Sequence, residues 1–151
     1  MTQNTHETRP TLRAAAHVFL RKGNEVLLLR RYQTGYEDGN YSTIAGHVEN
    51  GESCTETAIR EAKEEAGVQL RKEDLQLVHI MHRNGLNFDS IDTFFVAKRW
   101  DGEPKNVEPE KSDDVRWYPV DALPENTIPY IRAALQQIDS PLTYSEFGWH
   151  N

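Results

Sequence analysis

Two apolar runs stand near the start of the chain, residues 12–20 (LRAAAHVFL) and 25–31 (EVLLLRR), separated by Arg21-Lys22-Gly23-Asn24. Gly-Asn tolerates the positive φ angles of a tight turn, so the pattern predicts a β-hairpin. Residues 32–40 hold two glycines and mixed charge and read as a surface loop, followed by a short apolar piece, Tyr41 to Val48, broken by Gly46. Ser53 to Ala66 has the marks of a helix. Ser53 and Glu56 form a capping-box pattern, no Gly or Pro interrupts the run, and Gly67 stands at the stop.

Leu75 to His82 and Ile91 to Trp100 are rich in β-formers and predict paired strands joined by the polar turn Arg83 to Ser90. Asp101 to Asp114 is a charged, proline-containing loop. Val115 to Val120 (VRWYPV) follows as a short strand with Pro119 near its end. A second helix is expected with Pro129 in its first turn, Asn126 or Thr127 as its cap, and Ile131, Leu135 and Ile138 as its buried stripe. The polar or proline-punctuated ends, 1–10 and the tail 141–151 that begins near Ser140, are expected to be loose. That leaves one domain over 11–140, with no internal repeat or linker.

A chain of 151 residues fits a single core, and its 37% hydrophobic content is that of an ordinary globular protein. Its formal charge of −7 disfavours attraction to a nucleic-acid polymer or an anionic membrane. A polyphosphate would be repelled too, unless metal ions bridged the two. The one cysteine, Cys54, excludes an internal disulfide and a multi-cysteine zinc site, and is expected to be a small buried residue. No apolar stretch approaches the roughly 18 residues of a membrane span, and Met1 to Pro10 lacks a signal-peptide core, so the cytoplasm is the expected location.

Chemistry concentrates in residues 46–68, GHVENGESCTETAIREAKEEAGV. Glu61, Glu64 and Glu65 stand at i, i+3 and i+4 and project from roughly one helix face. Such like charges repel, and a hard divalent cation with oxygen ligands, Mg²⁺ or Mn²⁺, relieves them better than Arg60 or Lys63. A solvated acidic face is the plainer reading of an EAKEEA helix. Spacing over the longer window outweighs it: Gly46, five residues, Glu52, seven residues, Arg60-Glu61-Ala62, one residue, Glu64-Glu65, one residue, Gly67-Val68. This segment resembles the Nudix box of the Nudix hydrolase superfamily, and a weaker similarity to its MutT-like branch extends over most of the chain. Ala62 departs from the pattern, which prefers a bulky aliphatic there.

The resemblance implies an α/β class, with the Nudix fold as an α/β/α sandwich whose mixed β-sheet lies between the two helices. It implies that Glu52 and Arg60 orient the helix and that Glu61, Glu64 and Glu65 bind divalent ions, one of them acting on the attacking water. It adds the carbonyl of Ala45 as a further ligand. The run Trp100-Asp101-Gly102-Glu103-Pro104, three residues, Glu108 looks like the MutT loop that ends in another metal-binding or base glutamate, so Glu108 is expected there, with Glu103, Glu110 and Asp113 as competitors. His47, beside the box glycine, is expected near the substrate.

No Ser-His-Asp or Cys-His arrangement is recognisable, which suits hydrolysis by an activated water. Several substrate signatures of the family are missing: an SQPWPFPxS-like run of NADH pyrophosphatases, a proline at Arg83 or Asn84 as in ADP-ribose hydrolases, and a tyrosine near Gly85 as in diadenosine polyphosphate hydrolases. Elimination favours a (d)NTP pyrophosphohydrolase. Trp117 and Asn126 or Thr127 lie where MutT-like proteins place some base contacts, though Trp117 also reads as core. The alternatives are a nucleotide-binding Nudix module without hydrolysis, a hydrolase of ADP-ribose or a nucleotide sugar, and an acidic protein–protein module. Monomer and homodimer both stay open.

Overall fold

The computed structural model describes residues 9–150, so the part of the expected loose N-terminus at residues 1–8 lies outside it. Its elements in chain order are β1 (Arg13–Lys22), β2 (Glu25–Arg31), β3 (Tyr41–Ser42), β4 (Ile44–His47), α1 (Cys54–Ala66), β5 (Leu75–Asn84), β6 (Asp89–Ala97), β7 (Ser112–Pro119), α2 (Pro129–Leu135) and β8 (Thr143–Phe147). Gly23, at φ 59°, makes the predicted turn. The hairpin it closes is short: β1 and β2 pair only at Arg21↔Val26 and Lys22↔Glu25.

Beyond that root the two strands diverge. β1 pairs in parallel with β6 and antiparallel with β4, while β2 takes β7 along one edge and β3 at its far end. The physical reason is visible in the residues: 15–20 and 26–29 are buried without a break. Strands apolar on both faces belong inside a sheet covered on both sides. With β5 antiparallel to β6 and β8 parallel to β5, the sheet is mixed.

Alternate residues of these strands feed two cores. Ala16, Val18, Leu20, Leu27 and Leu29 face α1, whereas Phe19, Val26 and Leu28 face α2. This is the expected α/β/α sandwich. The α1 side of the seam is Ala58, Ala62 and Ala66, all fully buried, so the small residue at position 62 is one of three that let the helix lie close on the sheet. Ser53 caps α1 by accepting from the Glu56 amide, Glu56 returns a bond to Ser53, and Gly67 ends the helix at φ 70°.

Four expectations are corrected. The cap of α2 is Ile128, whose apolar side chain has no acceptor to offer; Thr127 Oγ1 donates to the Pro124 carbonyl and Asn126 Nδ2 to that of Gly39. The loose tail is in part a strand, β8, whose alternation lets Phe147 pack on the α2-side core. The 83–90 turn shrinks to 85–88, since β5 and β6 run to Asn84 and Asp89. Cys54 is half-buried at the first residue of α1.

Because the Ser53 hydroxyl holds one of the unpaired amides of the first turn, Ser53→Ala should cost about 1 kcal/mol. Thermal unfolding should show a fall of about 2–4 °C in Tm.

Candidate active site

The acidic residues reach one another through the loop between β4 and α1. Glu52, at the end of that loop, accepts from Arg60 Nε at 2.7 Å, Arg60 Nη2 at 2.9 Å, Thr57 Oγ1 at 2.7 Å and the Glu49 amide at 3.1 Å. These donors, the Arg60 guanidinium first, hold its carboxyl down at about 2. Arg60 also donates to Glu61 at 2.7 Å, to Glu64 at 3.3 Å and to the His47 carbonyl at 3.2 Å. One guanidinium therefore ties the loop carboxylate Glu52 to two helix carboxylates, Glu61 and Glu64, and its own proton is held more tightly than usual, the Glu52 bond being the largest cause.

Glu65 lies one residue beyond Glu64 and turns inward, accepting from the Ala45 amide at 3.0 Å. Burial, then repulsion from Glu61, pushes its carboxyl well above the ordinary range. Glu61 is raised for the same leading reason, burial, against the pull of Arg60. It fits there because residue 46 is glycine: a β-carbon at Gly46 would stand 2.1 Å from Glu61 Oε1. Glu108 comes from the far side. Its carbonyl accepts from the Lys111 and Ser112 amides at 2.9 and 3.0 Å, and its carboxylate pairs with Lys111 at 3.2 Å.

Glu61, Glu65 and Glu108, with Ala45, line one end of a cavity of about 1160 Å³, at the large end of small-molecule sites. Glu103, Glu110 and Asp113 do not line it; Asp113 is bound to Arg30 at 2.7 Å. Glu64 sits on the exposed rim beside Arg60. Among the described residues no three acidic, His or Cys side chains already converge at metal-ligand geometry, and Arg60 holds Glu61 and Glu64. The donor set nevertheless suits a hard divalent cation: carboxylates and a backbone carbonyl, with two of the carboxyls crowded and buried.

A family model described as the NUDIX domain matches residues 10–138. The chain belongs to the Nudix family. It is 36% identical over 115 residues to the NAD-capped RNA hydrolase NudC of Pseudomonas aeruginosa, a match covering 76% of this chain and 39% of that protein. NudC of Stutzerimonas stutzeri is 35% identical over 116 residues, with the same coverage. The chain thus spans about two fifths of the length of these curated relatives. A crystal structure of a MutT Nudix hydrolase from Burkholderia pseudomallei superposes with a TM-score of 0.78 at 25% identity, covering 85% of this chain and 98% of that one. A Nudix hydrolase from Nitrosomonas europaea shares the fold, at TM-score 0.76 and 20% identity over 93% of this chain and 80% of that one. The relatives it matches are named as hydrolases. No helix of the described residues is long and apolar enough to cross a membrane.

In this Nudix domain the box residues Glu52, Arg60, Glu61, Glu64 and Glu65 and the neighbouring Ala45 are brought together, and Glu108 joins them. His47 lines the cavity, its ring edge-on to Phe88 at 5.5 Å. The other three expected substrate contacts are not brought there. Trp117 stacks on Trp100 at 5.9 Å and packs on the α1-side core. Asn126 and Thr127 spend their side chains on backbone carbonyls. The cavity is lined instead by Tyr36, Arg83, Phe88, Tyr130 and Phe147. Sequence reasoning missed these because they come from five separate segments with no common spacing.

A carboxyl whose pKa is raised by folding is destabilising once ionised. In metal-free protein, stability linked to Glu65 is full below the ordinary carboxylate value of 4.5 and is lost as pH rises through the raised one. Glu52 has the opposite sign: its contribution is present above 4.5 and lost as pH falls through about 2. Glu65→Gln should therefore raise the Tm of EDTA-treated protein at pH 7, by about 2–4 °C for each kcal/mol of repulsion relieved. A scan of Tm against pH should show a flatter decline toward neutral pH than in the parent.

Proposed function

We propose that this chain is a Mg²⁺-dependent hydrolase of nucleoside diphosphate derivatives, with a (d)NTP as substrate and a nucleoside monophosphate and pyrophosphate as products. The observation that carries this reading is the meeting of Glu61, Glu65 and Glu108 with the Ala45 backbone at one end of a cavity large enough for a nucleotide. These groups, with Glu64 at the rim, would hold the ion or ions. When bound, Mg²⁺ neutralises adjacent phosphates and lowers the pKa of a water; Mn²⁺ can substitute.

The chain's own residues supply the rest. Arg60 and Glu52 fix the loop and helix so that the carboxylates share one end of the cavity. Arg31 and Lys111 line the same cavity and are close enough to act electrostatically on Glu65, which puts positive charge where a leaving phosphate gains negative charge. Water oxygen bonds to phosphorus, the anhydride P–O bond breaks with its electron pair leaving on the pyrophosphate, and the released proton passes to a carboxylate of the cluster. His47 and the aromatic wall exclude bulk water and seat the nucleoside.

A second reading has its own support. The relatives matched over 76% of the chain are named for NAD-capped RNA, which favours a dinucleotide pyrophosphate such as NAD as substrate. The two readings separate by product: nucleoside monophosphate plus pyrophosphate, or two monophosphates. The deciding experiment is a panel of canonical and oxidised dNTPs, NAD(H), ADP-ribose and nucleotide sugars, with Mg²⁺ or with EDTA. Mg²⁺-dependent release of pyrophosphate from a dNTP is expected, and a panel without turnover in which nucleotides still bind would reverse the proposal. Glu64→Gln and Glu65→Gln should fold and lose at least about 10²-fold in kcat; full activity in either variant would remove that residue from the machinery.

A further inference from the structure

The β5–β6 part of the sheet carries a charge pair that packing does not require. Asp92 sits in the middle of β6, fully buried between β1 and β5, and accepts from Arg83 Nε at 2.7 Å. Its second oxygen, Oδ1, is enclosed and has no partner among the described residues. Replacing such a pair with apolar side chains of similar size is commonly neutral or stabilising. Its presence here has a consequence for the cavity instead.

Arg83 is anchored on both sides. Asp92 fixes Nε, and the face of Tyr130 lies 4.0 Å from the guanidinium carbon. Neither Nη makes a hydrogen bond among the described residues, yet neither is enclosed, and Arg83 lines the cavity. Arg83 thus brings two Nη groups without protein partners to the cavity wall, its guanidinium held by Asp92 and Tyr130. Beside them His17 donates from Nδ1 to the Thr93 carbonyl at 3.3 Å, and burial lowers its pKa to about 4, so it is neutral. With Asp92 offsetting Arg83, this floor carries no net charge. Its surroundings are Tyr36, Tyr130 and Phe147. Lys111 pairs with Glu108, while Arg31 acts on Glu65 and also lies 5.3 Å from the Tyr36 ring and acts on Tyr130. Aromatic rings beside a guanidinium whose charge Asp92 offsets offer a planar ring both faces to pack on and donors to bond.

We propose that Arg83 reads the nucleobase, donating its two free Nη groups to adjacent acceptors on a guanine-type ring, O6 and N7. Guanine is the base that presents two acceptors side by side on that edge; adenine presents an acceptor beside a donor, which would face an Arg N–H. The proposal rests on the nucleotide reading of the same cavity and names its base. Asp92 and Tyr130 are positioning residues, acting through Arg83.

The test is binding of dGMP and dAMP by calorimetry in Mg²⁺ buffer. A monophosphate has no anhydride, so the readout does not depend on turnover. The parent should bind dGMP at least about 10-fold more tightly than dAMP. Arg83→Lys keeps the charge but loses the fork; it should weaken dGMP by about 5- to 150-fold, the worth of one bidentate base contact, and leave dAMP unchanged. Arg83→Met combined with Asp92→Leu removes both charges together, avoids stranding a buried carboxylate, and should show the same selective loss. Equal binding of the two nucleotides by the parent, uniform weakening of both by the variants, or no binding of either would overturn the proposal. Guanine-selective binding by a protein that hydrolyses nothing would uphold Arg83 and sink the hydrolase reading, so the two failures are distinct.

Discussion

The close seat of α1 on the sheet is the constraint on which the site depends. Ala58, Ala62 and Ala66 leave no side-chain bulk between helix and strands, and Gly46 leaves none on β4 opposite Glu61. A helix that close must bring Glu61 and Glu65, which flank the alanine seam, against the backbone of Ala45 and Gly46. There they lose solvent and repel each other, as their raised pKa values record. Arg60 offsets part of this by bonding Glu61 and Glu64 while gripping Glu52, so loop and helix hold one geometry. Substituting larger residues along the seam would relieve the crowding and undo the site in the same stroke.

Stability and function therefore pull apart at these positions. A folded chain gains nothing from two half-buried carboxyls that face each other without a cation, and active sites are where such unfavourable arrangements are kept. The cost is met elsewhere, by two apolar cores on opposite faces of the same strands and by a well-capped helix. The same logic covers Asp92 and Arg83, a charge pair set into the middle of a sheet whose neighbours are apolar.

The cavity owes its second wall to the way the strands part. β1 and β2 share only their hairpin root, and beyond it each takes different partners. The 32–40 loop, the 85–88 turn, the start of α2 and the end of β8 contribute to its walls. The same cavity is lined both by carboxylates and by rings with a fixed guanidinium.

Much of this protein was legible in the chain because the signals were local. Capping box, stop glycine, hairpin turn and apolar runs act over a few residues, and the i, i+3, i+4 spacing of Glu61, Glu64 and Glu65 is fixed by helix geometry alone. The resemblance of the box implied Glu52 and Arg60, and that of the 100–108 loop implied Glu108 with Glu103, Glu110 and Asp113 as competitors. Burial could not be read so directly. Trp117, a base contact or a core residue by sequence, is half-buried against the α1-side core, and Asn126 and Thr127, helix cap or base contacts by sequence, donate to carbonyls instead. The tail after Ser140 is too polar and short to announce a strand, and becomes one because β5 offers it an open edge. Arg83 and Asp92, nine positions apart, meet because β5 and β6 pair in register. Sequence by itself determined what each segment prefers and which carboxylates share a helix face. Tertiary structure decided which side chains are desolvated and which strangers become neighbours, since both depend on long-range pairing that no local spacing encodes.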